Sequence, residues 1–218
     1  MFIINCKNYD EISGNRIIKL AKIAQRISKK YKIPIAIAPP HHQIPLVTKF
    51  NVIVLAQHLD DKKIGSTTGF MIPEIAKRSK INGSLINHSE HRISEKEIKN
   101  LIKRLKRLKL KTILCVKNVN ESKKYAKLNP TFIAIEPPEL IGTGRAISTE
   151  KPHLITKAVD SVKLAKNSTK LLCGAGIVSG KDVTRAKKLG SKGILVASGI
   201  VKAKNWEKII EEFSRALV

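Results

Sequence analysis

The sequence predicts one α/β domain, a (β/α)8 barrel with eight parallel strands that spans residues 1–218. Three observations support this prediction. Eight short apolar runs recur along the chain, amphipathic segments separate them, and the length fits one closed barrel. No internal repeat, low-complexity stretch or linker divides the chain, so we expect a single domain.

The apolar runs are nearly continuous in Ile, Val, Leu and Ala, as is typical of parallel strands that are buried on both faces. The predicted strands are 2–5, 33–38, 52–56, 84–87, 111–116, 131–135, 169–173 and 193–197. Between them, helical spacing is clearest after the fourth strand, where one face carries Ile98, Leu101, Ile102, Leu105 and Leu108. The opposite face is basic but carries no aromatic residues, which favours a solvated outer helix over a nucleic-acid surface.

An open, doubly wound sheet is the main alternative fold. Such a sheet would place a Gly-x-Gly-x-x-Gly loop after its first strand. Here the first strand leads into Asn5-Cys6-Lys7-Asn8, which contains no glycine. The closed barrel is therefore preferred.

The chain is strongly basic, with 42 Lys and Arg against 17 Asp and Glu and a net charge of +25. This balance is compatible with nucleic-acid binding or with steering of an anionic substrate. Because the charge is spread along the whole sequence, it favours a general compositional bias. We expect no nucleic-acid partner.

Three cysteines, Cys6, Cys115 and Cys173, are odd in number, far apart and without metal-ligand spacing. They indicate a reducing compartment and predict no metal site. The N-terminus has no basic leader, and no apolar stretch approaches the roughly 20 residues of a membrane span. We expect a soluble, cytoplasmic protein without membrane association.

In a barrel, the carboxyl ends of all strands meet at one rim. The polar and small residues at these ends include Asn5, Lys7, Gln57, His58, Asn87, His88, Ser89, Glu90, Glu136, Gly174, Gly176, Ala197 and Ser198. Each alone fits an ordinary loop position, but together they fit a reactive site. Small loops that expose backbone amides suit a phosphate, and a carboxylate, an imidazole and a lysine suit proton transfer beside a carbonyl.

At these residues the sequence resembles the triosephosphate isomerase family along its whole length. The matching segments are Asn5-Cys6-Lys7, Ala56-Gln57, Gly65–Gly69, Asn87–Arg92 and Glu136–Gly144. All follow the proper strands in the proper order, which makes the resemblance specific. The short chain with its Pro-Pro-Glu-Leu-Ile-Gly-Thr-Gly segment is similar to the archaeal branch.

The resemblance implies a TIM barrel that interconverts dihydroxyacetone phosphate and D-glyceraldehyde 3-phosphate through an enediolate, in glycolysis and gluconeogenesis. Glu136 would be the base, His88 a neutral electrophile, and Lys7 and Asn5 would contact the substrate; the family is itself the standard example of this acid–base arrangement. No cofactor is implied, because only protons move.

The resemblance also implies the surroundings of the reacting groups. The residues expected to bind substrate or its phosphate are Asn5, Lys7, Ile141, Gly142, Gly174, Gly176, Ala197 and Ser198. Residues 137–144 would form a mobile lid, Glu90 would support Lys7, and Gln57 would mark the end of the third strand. Thr68 would reach the active site of a neighbouring subunit, so a homo-oligomer is expected, with a tetramer favoured over a dimer.

Some residues depart from the family pattern. His91 stands where arginine is usual, Pro138-Glu139 replaces Val-Trp, and the usual Gly-Glu after Cys115 is missing. Another phosphate-binding barrel enzyme, such as a sugar-phosphate epimerase or an isomerase of amino-acid biosynthesis, stays open as an alternative. A basic nucleic-acid-binding protein is a second. Neither class needs the three catalytic segments together.

Overall fold

The computed structural model describes all residues, 1–218, and confirms the barrel: eight parallel strands pair in sequence order, and the first closes onto the eighth. The strands are β1 (Phe2–Asn5), β2 (Ile35–Ala38), β3 (Ile53–Ala56), β4 (Gly83–Ile86), β5 (Lys111–Val116), β6 (Phe132–Ile135), β7 (Lys170–Gly174) and β8 (Ile194–Val196). The predictions for β1 and β5 match at both ends.

The other predicted strand boundaries are wrong by one or two residues, for local reasons. The second strand begins at Ile35 rather than residue 33, because Pro34 has no N–H to donate to a ladder. The fourth ends at Ile86 because Asn87 adopts a left-handed conformation with φ 60°. The eighth ends at Val196, since Ala197 leaves the extended region with ψ −93°.

Helices follow the strands around the outside of the barrel. They are α1 (Arg16–Tyr31), α2 (Ile44–Val47), α3 (Pro73–Arg78), α4 (Glu95–Arg107), α5 (Val119–Ala126), α6 (Ile147–Glu150), α7 (Pro152–Leu164), α8 (Gly180–Lys188), α9 (Ser198–Val201) and α10 (Trp206–Leu217). Short 3-10 turns lie at Asp10–Ile12, His41–Gln43 and Pro138–Leu140. None of the helices combines the length and apolar character needed to cross a membrane.

The predicted amphipathic segment after the fourth strand is α4. Ser94 caps it by accepting a hydrogen bond from the Glu97 N–H, while the Glu97 carboxylate accepts one from the Ser94 N–H. Its apolar face is buried at Ile98, Leu101 and Leu105. The helix therefore buries one face against the barrel and leaves most of its lysines exposed, as the sequence predicts.

Alternate residues of each strand fill two apolar layers. Ile3, Leu55 and Leu85 belong to a small cluster inside the barrel, whereas Phe2 and Ile4 belong to the larger layer between strands and helices. Because both faces are apolar, the strands are held rigidly. The residues that follow their carboxyl ends therefore project from a fixed frame.

Gly83 provides a test of strand packing in the barrel, because it faces Lys111 across the β4–β5 pair. A Cβ at this position would overlap the carbonyl oxygen of Lys111 and lie 2.7 Å from its Cβ. We expect Gly83→Ala to lower the free energy of unfolding by about 1–3 kcal/mol, as overpacking does elsewhere. Denaturant unfolding measures this, and unchanged stability would show that the two strands are not packed this closely.

Candidate active site

The carboxyl ends of the strands surround a narrow cleft. The sequence-predicted residues that line it are Asn5, Lys7, His88, Glu136, Ile141, Gly142, Gly176, Ala197 and Ser198. Gln57 and Glu90 lie in an adjoining cleft that shares Lys7 and His88 with the first. Thr68 lies in neither cleft and is exposed in the long segment between β3 and α3.

Glu136 follows β6 directly, and its backbone N–H donates to the carbonyl oxygen of Val116 at 2.9 Å. The side chain is only 8% exposed, and its Oε2 atom is buried without a hydrogen-bond partner. A buried carboxylate oxygen without a partner is costly and uncommon. This oxygen is therefore free to accept a proton from a bound molecule.

His88 faces that oxygen, with its Nε2 atom 3.7 Å from Glu136 Oε2. On the other side of the ring, Nδ1 accepts a hydrogen bond from the backbone N–H of Glu90 at 3.3 Å. Because Nδ1 is the acceptor, the ring N–H lies on Nε2, the nitrogen that faces the cleft. The cleft thus presents an N–H donor beside a carboxylate acceptor.

Gly174 and Cys115 define the space around this carboxylate. A Cβ on Gly174 would lie 2.7 Å from Glu136 Cγ and 3.1 Å from Oε1, so only glycine leaves room for the side chain. Gly174 lies against Glu136 and is not among the residues that line the cleft. Burial, with a contribution from the charge of Glu136, raises the pKa of the Cys115 thiol well above its usual value, so Cys115 stays protonated.

Lys7 is held from several sides in a left-handed backbone conformation, with φ 47°. Its N–H donates to Asn5 Oδ1 at 3.0 Å, and its carbonyl oxygen accepts from Gln57 Nε2 at 2.8 Å. Its Nζ atom is 2.6 Å from Glu90 Oε1. These contacts fix a positive charge at the edge of the cleft and give Gln57 and Glu90 their structural roles.

The far end of the cleft is formed by the loops after β6, β7 and β8. Gly176 has φ 69°, and a Cβ there would overlap the carbonyl oxygen of Arg145. Only glycine therefore lets the loop after β7 pass beneath the end of the 137–144 segment. Ala197 and Ser198 lead into α9, whose first N–H groups have no partner within the helix.

A group of histidines beside Lys7 has no role in the sequence-based interpretation. The ring of His58 stacks on that of His91 with centroids 4.0 Å apart and planes 18° apart. The backbone N–H of His58 donates to His41 Nε2 at 3.3 Å. The sequence signal was the departure at His91, but its stacking partner, His58, lies in a different loop, the one after β3. No group of three or more His, Cys, Asp or Glu side chains has an arrangement that could hold a metal ion.

Comparison with known proteins gives a consistent result. The chain matches the family model described as triosephosphate isomerase over residues 1–213. It is 49% identical to the triosephosphate isomerase of Cenarchaeum symbiosum, across 100% of this chain and 97% of the relative. It is 44% identical to that of Methanocaldococcus jannaschii, across 97% of each chain. With that of Methanothermus fervidus it shares 40% identity, across 97% of this chain and 96% of the relative.

The histidines predict how stability depends on pH. Burial lowers the pKa of both His41 and His58 below the ordinary value of 6.5. At pH values between 6.5 and the lowered pKa values of the folded protein, these two histidines bind more protons in the unfolded chain than in the folded protein. The free energy of unfolding should therefore fall as the pH drops below 6.5, with these two residues contributing at most two protons to the slope.

Denaturant unfolding at several pH values between about 8 and 5 measures this slope. Replacing both residues, His41→Asn with His58→Asn, should reduce it. The matched control is His153→Asn, at an exposed position of α7, which should leave it unchanged. Equal slopes for the wild type and the double variant would contradict the prediction.

Proposed function

The chain belongs to the triosephosphate isomerase family, and we propose that its Glu136 and His88 carry the interconversion of dihydroxyacetone phosphate and D-glyceraldehyde 3-phosphate. The proposal rests on two side-chain atoms that face each other in the cleft without a hydrogen bond between them. Glu136 Oε2 has no partner, and His88 Nε2 lies 3.7 Å from it. One substrate can therefore contact a proton acceptor and a proton donor at the same time.

Glu136 is the base of the first step. The hydrogens on the carbon beside a carbonyl are weakly acidic, so their removal requires a positioned base with a poorly solvated carboxylate. Glu136 is buried, and Gly174 leaves it the space to lie over the substrate. The carboxylate takes the proton from one carbon, and the resulting carboxylic acid returns it to the neighbouring carbon. The hydroxyl proton moves the other way through His88, whose Nε2 gives its proton to the former carbonyl oxygen and takes one from the neighbouring hydroxyl group. The substrate is neither oxidised nor reduced overall, and no cofactor is required.

His88 stabilises the negative oxygen that forms as the proton leaves. Its Nε2–H donates to the carbonyl oxygen, and this hydrogen bond strengthens as charge develops on that oxygen. The Glu90 N–H holds Nδ1 as an acceptor, so the donor stays on the side of the substrate. Lys7 adds fixed positive charge beside the enediolate, and the Asn5 side chain lies within the same cleft.

The phosphate rests at the end of the cleft formed by the loops after β6, β7 and β8. The residues that supply this end are Ile141, Gly142, Gly176, Ala197 and Ser198. The support for this placement is chemical: backbone amides at small residues and at the start of α9 suit a dianion, and no carboxylate except that of Glu136 lines the cleft.

Residues 137–144 act as a lid, and the lid of this family is itself a standard example of such closure. Gly142 and Gly144 have positive φ values of 75° and 73°, and because glycine has no Cβ, the backbone of the C-terminal half can change conformation at little cost. Glu139 of the lid pairs with Lys151, which lies between α6 and α7, and just beyond the lid Arg145 pairs with Glu150 of α6. Closure excludes water from the enediolate.

The protein assembles as a homo-oligomer through the loop that contains Thr68. The loop is closed at its base by two hydrogen bonds between Asp60 and Met71, and it projects Ile64 and Phe70, which are 51% and 45% exposed. An exposed apolar pair on a projecting loop is a usual contact surface. The histidine-lined cleft beside Lys7 and Glu90 is the receptor on the neighbouring subunit. A tetramer is favoured, with a dimer as the alternative.

The setting is the cytoplasm, where the reaction belongs to glycolysis and gluconeogenesis. All three cysteines are free, as expected of a protein from a reducing compartment. The partner is a small triose phosphate, with no role for nucleic acid or a membrane.

The assignment of the base is tested by Glu136→Gln, which keeps the shape of the side chain but cannot accept the proton. Turnover in a coupled assay with D-glyceraldehyde 3-phosphate should fall by about 100-fold to 10,000-fold. The matched control is Glu207→Gln on α10. Glu207 forms an exposed ion pair with Arg26 of α1, and its replacement should leave turnover unchanged. If Glu136→Gln turned over at the wild-type rate, another group would have to be the base.

Assembly is tested by Ile64→Asp combined with Phe70→Asp, which places charge on the projecting loop. Sedimentation at several protein concentrations should show an oligomer for the wild type and a smaller species for the variant. A wild type that remains monomeric at every concentration would defeat the proposed assembly.

A further inference from the structure

Three histidines next to the reactive cleft take no part in the reaction described above. His41 follows β2, His58 follows β3, and His91 lies in the turn after β4. They belong to three successive loops of the rim, and all of them line the cleft that adjoins Lys7. Their contacts form a continuous connection between these loops.

The connection has two links. The His58 ring stacks on the His91 ring at 4.0 Å, and the His58 N–H donates to His41 Nε2 at 3.3 Å. His91 also closes its own turn, because its N–H donates to the carbonyl oxygen of His88 at 2.9 Å. The stack is therefore the side-chain contact that joins the loop after β3 to the turn that carries His88.

The residues beside the two stacked rings hold Lys7. Gln57 precedes His58, and its Nε2 donates to the carbonyl oxygens of Lys7 at 2.8 Å and Ala38 at 3.1 Å. Glu90 precedes His91, and its Oε1 accepts from Lys7 Nζ at 2.6 Å. One loop thus fixes the Lys7 backbone and the other fixes its ammonium group.

We propose that His58 and His91 are positioning residues for the isomerisation, because their stack sets the two loops that place the Lys7 ammonium beside the substrate. This inference rests on the proposed function. Burial lowers the pKa of His58, and the adjacent His91 lowers it further, so the inner ring of the stack is neutral at neutral pH. A neutral inner ring avoids repulsion between two imidazolium ions.

The charged and titratable groups around the stack come from several elements. Asp60 lies 3.5 Å from His58 Nε2 on the same loop, and Glu97 of α4 interacts electrostatically with His58. His41 faces the pair from the loop after β2, and Glu90 precedes His91 in its turn. The planar contact between the rings, and not a particular charge, is what the proposal requires.

The test replaces His91, which is exposed, so that a change of its side chain leaves the buried core unaltered. An aromatic pair contributes about 0.5–1.5 kcal/mol, so His91→Ala should lower kcat/KM for dihydroxyacetone phosphate by roughly twofold to tenfold. His91→Phe keeps a flat ring on His58 and should stay within about twofold of the wild type. His153→Ala, at an exposed position of α7, is the control and should match the wild type.

A double-variant cycle separates positioning from simple structural support. If the stack acts through Glu90 and Lys7, His91→Ala should have a smaller effect on kcat/KM in a Glu90→Gln background than in the wild type. All variants should unfold in a single cooperative transition and sediment as the same assembly as the wild type, so that their rates are compared between folded proteins of equal subunit number. Equal effects of His91→Ala in both backgrounds, or a His91→Phe variant as impaired as His91→Ala, would overturn the proposal.

Calorimetric binding of phosphoglycolate gives a readout that does not depend on turnover, since its carboxylate and phosphate match the charges of the enediolate phosphate. His91→Ala should weaken its binding by roughly the same twofold to tenfold, and His91→Phe should restore it. Equal dissociation constants for the wild type and His91→Ala would overturn the positioning role. A wild type that binds phosphoglycolate but does not isomerise either triose phosphate would instead overturn the proposed function.

Discussion

The hydrogen bond from the Glu90 N–H to His88 Nδ1 is the interaction on which the proposed chemistry depends. It leaves the ring proton on Nε2, the nitrogen that lies 3.7 Å from Glu136 Oε2. Without it, the imidazole could present a lone pair to a carbonyl oxygen and would not stabilise the developing charge. Glu90 also pairs with Lys7, so one residue sets the orientation of the imidazole and the position of the cation.

The rigid barrel holds two energetically unfavourable features of the site in place. A buried carboxylate oxygen without a partner costs free energy, and so does a lysine in the left-handed conformation. Two close apolar layers hold β1, β4 and β6 in register, so that these side chains cannot relax toward better-solvated positions. Gly174 has no side chain, and the space that a Cβ would occupy there is filled by the side chain of Glu136.

Much of the molecule follows from local sequence pattern. Near-continuous apolar runs predict buried parallel strands, and the barrel then brings Asn5, Lys7, His88 and Glu136 to one rim, as the cleft confirms. The strand ends required backbone detail that a pattern does not carry, such as the missing N–H of Pro34. The stack of His58 on His91 was not predictable, because contacts between side chains of different loops leave no periodic signal. Gly174 was expected among the phosphate-binding residues, but its packing against Glu136 becomes visible only when β6 and β7 are paired.

The central claim is that a carboxylate moves a proton between two carbons. The most direct measurement is the ¹H NMR spectrum of dihydroxyacetone phosphate and D-glyceraldehyde 3-phosphate after prolonged incubation with the protein in D₂O. A proton held on a carboxyl group exchanges with solvent, so the account predicts deuterium on the carbons that gain and lose the proton. If no deuterium entered either triose phosphate even after many rounds of interconversion and lid opening, the hydrogen would never reside on an exchangeable group, and the role of Glu136 would be contradicted.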